Sequence, residues 1–387
     1  MALITTNSAL EKTLSALAQA PFVTVDTEFH RQSTYYPELC LIQIASPAGE
    51  ALIDPLALKF DLAPFFALMQ NPAIVKVFHS ARQDIEILFH LSGAIPAPLF
   101  DAQIAAMVCG YGDSIAYDSL VEEITGVKLD KSSRFTDWRL RPLSKKQMDY
   151  ALADVTYLRD IYTALDKKLK ESGRASWVKE EMDILTSPET YETRPEEAWK
   201  KAKIRAKLKK PEQFSVLQKL AAWRERTAQR QNVPRSYILS DDALSEIALQ
   251  LPKDNQALLS MRVLHHHPRI PLDIRTVLGE IHAGIKDADT MPPQFVAYHK
   301  PSEENKSVTE ILKFLLKIIA ERHGVVPKII ASSEDISEIA AKGAEADALP
   351  LKGWRRDIFG ASALAMMSGD LAIKMNNNTP ELFAVSE

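Results

Sequence analysis

An internal repeat in the second half of the chain constrains its domain plan more than any other feature. Val233-Pro234 is followed by Asp241-Asp242-Ala243-Leu244-Ser245-Glu246-Ile247-Ala248, and Val326-Pro327 by Glu334-Asp335-Ile336-Ser337-Glu338-Ile339-Ala340. A period of roughly 90 residues with a one-residue slip is a duplicated unit. Each copy places an amphipathic helix before its Val-Pro and another after it, whose acidic first turn suits the positive end of the helix dipole. Pro188, Pro195 and Pro211 punctuate the stretch ahead of the first copy, so a boundary falls after Thr186. The expected division is a first domain over 1–190, a basic linker or helix over 191–209, helical domains over 210–290 and 291–375, and a frayed tail over 376–387.

The first domain has a different rhythm. Phe22 to Phe29, Leu39 to Ala45 and Ala51 to Ile53 are short β-rich runs, and Pro47 and Gly49 mark a reversal that predicts an antiparallel meander. Leu62 to Met69 has helical spacing, Ile74 to Phe78 is a compact apolar strand, and Arg82 to Leu91 is helical again. That crossover adds a parallel strand to the sheet. Ser144 to about Lys170 predicts a long helix with Ser144 as its N-cap. The fold class is therefore α/β, a mixed sheet followed by helical domains.

Over 387 residues the net charge is −4, which alone does not suggest a nucleic-acid partner. Its distribution does. From Trp199 to Lys210 every charged residue is basic (Lys200, Lys201, Lys203, Arg205, Lys207, Lys209 and Lys210), a cluster able to track a phosphate backbone. The N-terminus lacks the basic start and apolar run of a signal peptide, and no stretch has the length of a spanning helix. With only Cys40 and Cys109 there is no disulfide framework. The expected location is the cytoplasm, without membrane attachment. His265-His266-His267 is not expected to bind a metal, because adjacent side chains point in different directions.

Four acids stand apart from this background. Asp26 and Glu28 lie two apart at the end of an apolar strand, so their carboxylates share a face and repel unless a cation neutralises them. Asp84 follows the strand ending at Phe78 through His79-Ser80-Ala81-Arg82-Gln83. Tyr150 and Asp154 lie four apart in the long helix, on one face. Each piece alone is commonplace; their order is not. Asp-Thr-Glu-Phe, then His-Ser-Ala-Arg-Gln-Asp, then Tyr with Asp four residues on, resembles the tyrosine-bearing branch of the DEDD exonuclease superfamily. Asp26, Glu28, Asp84 and Asp154 match its acids and Tyr150 its tyrosine. Thr34-Tyr35-Tyr36-Pro37-Glu38-Leu39-Cys40-Leu41-Ile42-Gln43-Ile44-Ala45, Leu129-Asp130-Lys131, Asp137-Trp138 and Arg141-Pro142-Leu143-Ser144 are similar to the ribonuclease D family in particular. The repeated helical unit resembles the HRDC domain, which that family carries in two copies.

The resemblance implies a ribonuclease H-like exonuclease domain and a two-metal reaction with Mg2+ or Mn2+. Asp26, Glu28 and Asp154 then hold the ion that activates water, Asp26 bridges to a second ion that Asp84 supports, and Tyr150 orients the water. Phe29 and His79 are candidate substrate contacts, Phe29 by stacking on a base. The implied substrate is a single-stranded RNA 3' end, on tRNA precursors or other structured RNA with 3' extensions, cut by a monomer to nucleoside 5'-monophosphates. The competing readings are a DEDD-type DNA 3'-5' exonuclease and a non-catalytic RNA-binding protein. A helicase is excluded by the lack of a G-x-x-x-x-G-K-[ST] phosphate loop.

Overall fold

The computed structural model describes residues 3–57, 59–130, 132–133, 136–202, 208–265, 270–290 and 303–385. The first part is built on six strands: β1 (Leu3–Ile4), β2 (Phe22–His30), β3 (Glu38–Ser46), β4 (Gly49–Ile53), β5 (Val75–Phe78) and β6 (Leu99–Asp101). They lie in the order β1-β4-β3-β2-β5-β6. β2, β3 and β4 form the expected antiparallel meander, and β5 adds parallel to β2. β1 and β6, two and three residues long, extend the edges in parallel. Strand alternation sorts the residues. Val23, Val25, Ile42, Ile44 and Ile53 enter a large core with α1 (Asn7–Leu17), α2 (Ala63–Met69) and α3 (Arg82–Ser92). Leu41 and Leu52 face the other way.

Two further helices, α4 (Ala102–Val108) and α5 (Tyr117–Thr125), precede the long α6 (Lys145–Glu171), and α7 (Ala175–Leu185) follows it. Ser144 starts α6 as expected: its hydroxyl accepts from the Gln147 N–H at 3.2 Å while the Gln147 side chain accepts from the Ser144 N–H at 3.0 Å. Ala151, Leu152, Val155, Leu158, Ile161, Leu165 and Leu169 form its buried stripe. Ala151 and Leu152 lie over Leu41 and Leu52. The Thr24 hydroxyl pins the helix to β2 by donating to the Val155 carbonyl at 2.8 Å. This fixes the face of α6 that carries Tyr150 and Asp154.

The repeat folds as two similar units. The first holds α8 (Pro211–Gln231), α9 (Arg235–Ile238), α10 (Asp241–Gln250), α11 (Asn255–Leu259), α12 (Arg262–His265) and α13 (Ile274–Asp287). The second holds α14 (Glu303–His323), α15 (Pro327–Ile330), α16 (Ser333–Lys342), α17 (Gly353–Arg355) and α18 (Ala361–Ser368). Ser240 caps α10 and Ser332 caps α16, each hydroxyl accepting a backbone N–H at 3.1 Å. Asn232 after α8 and Gly324 after α14 both take the left-handed conformation that ends a helix.

The units attach differently. The first has its own core around Leu217, Leu220, Leu244, Ile247 and Ile281. It docks on the sheet domain through the loop before β3. The Asn232 carboxamide accepts from the backbone N–H groups of Tyr35 and Tyr36 at 3.2 and 3.0 Å, and the Tyr35 hydroxyl bonds the buried Glu225. The second unit shares the large core of the sheet domain. Trp177 of α7 stacks on Trp354 with centroids 4.3 Å apart, and Arg355 pairs with Glu181 while donating to the Ile329 carbonyl at 2.8 Å. Gly110, at φ +83°, lies so close to the Gly324 carbonyl that a Cβ there would stand 2.4 Å from its oxygen.

One expectation needs amendment. The tail is expected to be frayed over 376–387, but among its described residues, to 385, β7 (Leu371–Asn376) pairs with β8 (Thr379–Ala384) in an antiparallel hairpin. Asn377 and Asn378 both adopt positive φ, 47° and 64°, which makes the two-residue turn that suits strand twist. In the basic segment, Pro195–Lys201 is a 3₁₀ helix; Lys203, Arg205 and Lys207 lie outside the described residues, as do Lys131, His266 and His267.

Candidate active site

Three separate pieces of backbone deliver the acids. β2 carries Asp26 and Glu28 on one face, and a bulge between Glu28 and Phe29 ends the regular register. α6 brings Asp154. Asp26, Glu28 and Asp154 each offer a carboxylate oxygen within 4.8 Å of the others, the spacing of a shared cation site. Hard oxygen donors in such a group suit Mg2+, Mn2+ or Ca2+.

Asp84 arrives from the third piece, the turn between β5 and α3. Asp101 holds that turn: its carboxylate accepts from Ser80 and Ala81 N–H groups at 3.1 and 2.8 Å while capping α4 through the Gln103 N–H at 2.8 Å. Asp84 is buried and accepts a short hydrogen bond from the Thr27 hydroxyl. It sits beside Asp26 but outside the three-carboxylate group.

Burial lifts the Asp26 carboxyl well above its ordinary value, and the Asp154 charge lifts it further, against a hydrogen bond from the Thr27 backbone. Asp84 is raised in the same way, first by burial and then by Asp26. Acids raised in the fold contribute stability that is full below the ordinary 3.8 and is lost as pH climbs through the raised values. In chelator, then, the wild type should lose stability relative to Asp26→Asn as pH rises above 3.8 through the raised values. Mn2+ at a hundredfold excess over Kd should raise wild-type stability by about 2.7 kcal/mol and that of Asp26→Asn by less. Calorimetric melting of both proteins checks this; a wild type and variant that melt in parallel at every pH would contradict it.

A cleft of about 490 Å³ opens over these groups. It is lined by all seven residues expected from the sequence: Asp26, Glu28, Phe29, His79, Asp84, Tyr150 and Asp154. Phe29 is half-buried and packs on the large core. His79, its ring nitrogens buried, meets Tyr117 edge-on with centroids 5.4 Å apart and lies against the Ile115 backbone. Burial pushes its imidazole below the ordinary value, against the nearby Asp101 charge. The cleft also contains residues that the sequence did not single out, among them Gln83, Gln103, Tyr117 and Asp118. Tyr117 donates to the Ala153 carbonyl at 2.8 Å and so braces the helix turn beside Asp154. Its position on α5 has no signature apart from the fold.

Comparison with known proteins agrees with this geometry. Residues 1–170 match the 3'-5' exonuclease family model and residues 213–269 the HRDC domain model. Ribonuclease D of Bartonella henselae is 49% identical over 99% of this chain and 94% of its own length. The chain belongs to the ribonuclease D family. Ribonuclease D of Nitrobacter hamburgensis is 48% identical over 96% of this chain and 97% of its own length. The crystal structure of Escherichia coli RNase D, described as an exoribonuclease involved in structured RNA processing, superposes with a TM-score of 0.82 at 29% identity, covering 95% of this chain and 98% of that one. As a ribonuclease D-family protein the chain is a 3'-to-5' exoribonuclease, a hydrolase that acts on nucleic acid with divalent metal ions. Among the described residues no helix is long and apolar enough to cross a membrane.

Proposed function

We propose that Asp26, Glu28, Asp84 and Asp154 hold two divalent cations, Mg2+ or Mn2+, over which this ribonuclease D-type enzyme removes nucleotides from RNA 3' ends. The observation that carries the reading is the meeting of the three carboxylates within ligand reach in a cleft that Asp84 and Tyr150 also line. Bound there, such ions supply a water of lowered pKa and offset charge on the departing oxygen. The Asp26 carboxylate interacts electrostatically with both Asp154 and Asp84, so it would be the ligand shared by the two ions. Tyr150 lies one helical turn before Asp154 on the same face and orients the attacking water through its hydroxyl. Phe29 stacks on the terminal base. His79, which lines the same cleft, contacts the terminal nucleotide. The product is a nucleoside 5'-monophosphate.

A second cleft, of about 920 Å³, runs between the sheet domain and the first helical unit. Its lining includes Arg82, two residues before Asp84, with Tyr36, Tyr191, Arg194, Lys201 and Arg235. Cations for phosphates and aromatic rings for bases are what single-stranded RNA binds, so this cleft takes the RNA upstream of the cut. The units divide as 1–190 for the exonuclease domain, 191–209 for the basic connection, 210–290 and 291–375 for the two HRDC-like domains, with the hairpin closing the second. Arg194→Ala with Lys201→Ala should lower kcat/KM on long RNA about tenfold and reduce the salt slope by about 1.4, at roughly 0.7 per phosphate contact, while sparing dinucleotides. Equal losses on dinucleotide and long RNA would contradict the route.

The physiological substrate proposed is a tRNA precursor with a 3' extension, processed by a cytoplasmic monomer. Digestion of 3'-extended precursors should stop in chelator and resume with Mn2+, releasing mononucleotides from the 3' end. Matched DNA should be cut far more slowly. Release of 5'-end fragments, or unchanged cutting in chelator, would contradict this function.

A further inference from the structure

Gln43 sits at the centre of β3, directly opposite Asp26 across the ladder and opposite Leu52 of β4. Directly opposed residues of an antiparallel pair project from the same face with their Cβ atoms about 5 Å apart, so the carboxamide and the Asp26 carboxylate leave the sheet side by side. On this face α6 covers the strand, with Ala151 and Leu152 packed on Leu41 and Leu52. Gln43 is 0% exposed. Neither its Nε2 nor its Oε1 has a hydrogen-bond partner among the described residues. Thr24, the neighbouring polar residue on this face, is bonded to the Val155 and Ala45 carbonyls. A buried amide without a partner opposes folding, and its same-face neighbours Leu41 and Leu52 demonstrate that the surroundings accept an apolar side chain. The amide is therefore not there to stabilise the sheet.

We propose that Gln43 is a positioning residue for catalysis: when a cation ionises Asp26, the Gln43 Nε2, which makes no such bond in this structure, donates to the Asp26 carboxylate and holds it in the orientation that ligates the cation. This rests on the metal-binding role given to Asp26 above. A ligating carboxylate has lone pairs left for outer partners, and such partners set ligand orientation and affinity. Gln43 meets Asp26 from the β3 side, leaving the cleft side to Glu28 and Asp154. The same residue that weakens the metal-free fold thus prepares the site.

The test uses the full-length chain with Gln43→Met, close in shape but without the amide, and Gln43→Leu in case methionine perturbs packing. Three quantities are read: the melting temperature in chelator, the Mn2+ Kd by calorimetric titration, and kcat against KM on a short RNA. The expected result is a metal-free melting temperature equal to or above that of the wild type, Mn2+ affinity weakened about 10–100-fold, and a fall in kcat with little change in KM. A lowered metal-free melting temperature with unchanged Mn2+ affinity would make Gln43 a structural residue and overturn the proposal. Asp26→Asn is titrated alongside. Wild-type Mn2+ affinity in that variant would remove the metal-binding role of Asp26 itself, and the proposal with it; weakened affinity there with unchanged affinity in Gln43→Met would overturn the Gln43 proposal alone.

Discussion

Asp26→Asn is expected to cut hydrolysis of 3'-labelled RNA by about 10³-fold or more, a barrier increase of roughly 4 kcal/mol. The reason is electrostatic. Asparagine keeps the shape and one carbonyl oxygen but carries no charge, and Asp26 is the acid whose charge interacts with both Asp154 and Asp84. Removing its charge weakens every cation the group holds. The loss should appear in kcat, because the phosphate-binding cleft and Phe29 are untouched. The metal-free fold should survive and gain stability at neutral pH, since burial and Asp154 both disfavour the Asp26 carboxylate. Single-turnover rates with saturating Mn2+ check the first part and urea unfolding in chelator the second. A variant that shortens RNA at the wild-type rate would sink the assignment of Asp26.

Arg141→Leu should be the most damaging change away from the cleft, costing about 3–5 kcal/mol of stability. Arg141 makes a two-pronged pair with Asp54, each contact at 2.7 Å, and also donates to the carbonyls of Cys40 and Trp138 at 2.7 Å and of Leu140 at 3.0 Å. Asp54 has a side chain only 6% exposed. Removing the guanidinium leaves a buried carboxylate without its cation and breaks the tie between the sheet and the loop that leads into α6. Arg141→Lys should fail too, because an ammonium cannot reproduce the planar fork. The double change Arg141→Leu with Asp54→Leu should be less harmful than the two single losses added together. By contrast Arg139→Ala, which breaks an exposed pair with Asp137, should cost under about 1 kcal/mol. Urea denaturation of the set measures this; comparable losses for Arg139 and Arg141 would contradict it.

Legibility in the sequence followed the range of the interaction. The meander, the β5 crossover and α6 were readable because alternation, turn residues and the Ser144 cap are local signals, and the duplicated Val-Pro units because a repeat needs no partner to be seen. β1 and β6 are too short to show a pattern, α5 and α7 start without a side-chain cap, and α4, though capped by Asp101, is only seven residues long. The carboxylates of Asp26 and Glu28 could be placed together from strand period alone. Bringing Asp84 and Asp154 to them required the family resemblance, since nothing local joins β2 to α6. Arg141 and Tyr35 lay within family-like segments whose purpose was not readable: Arg141 meets an acid 87 positions away and Tyr35 one 190 away. Nor did the sequence separate the two helical units by attachment. That distinction rests on Trp354, Arg355 and Phe359, which join the second unit to the sheet domain's core.

The most direct test of the central claim is anomalous diffraction from crystals soaked in Mn2+. Two peaks about 3.5–4 Å apart should appear in the cleft, one in contact with Asp26, Glu28 and Asp154 and the other in contact with Asp26 on the Asp84 side. Mn2+ bound elsewhere, with these carboxylates left without it, would contradict the account.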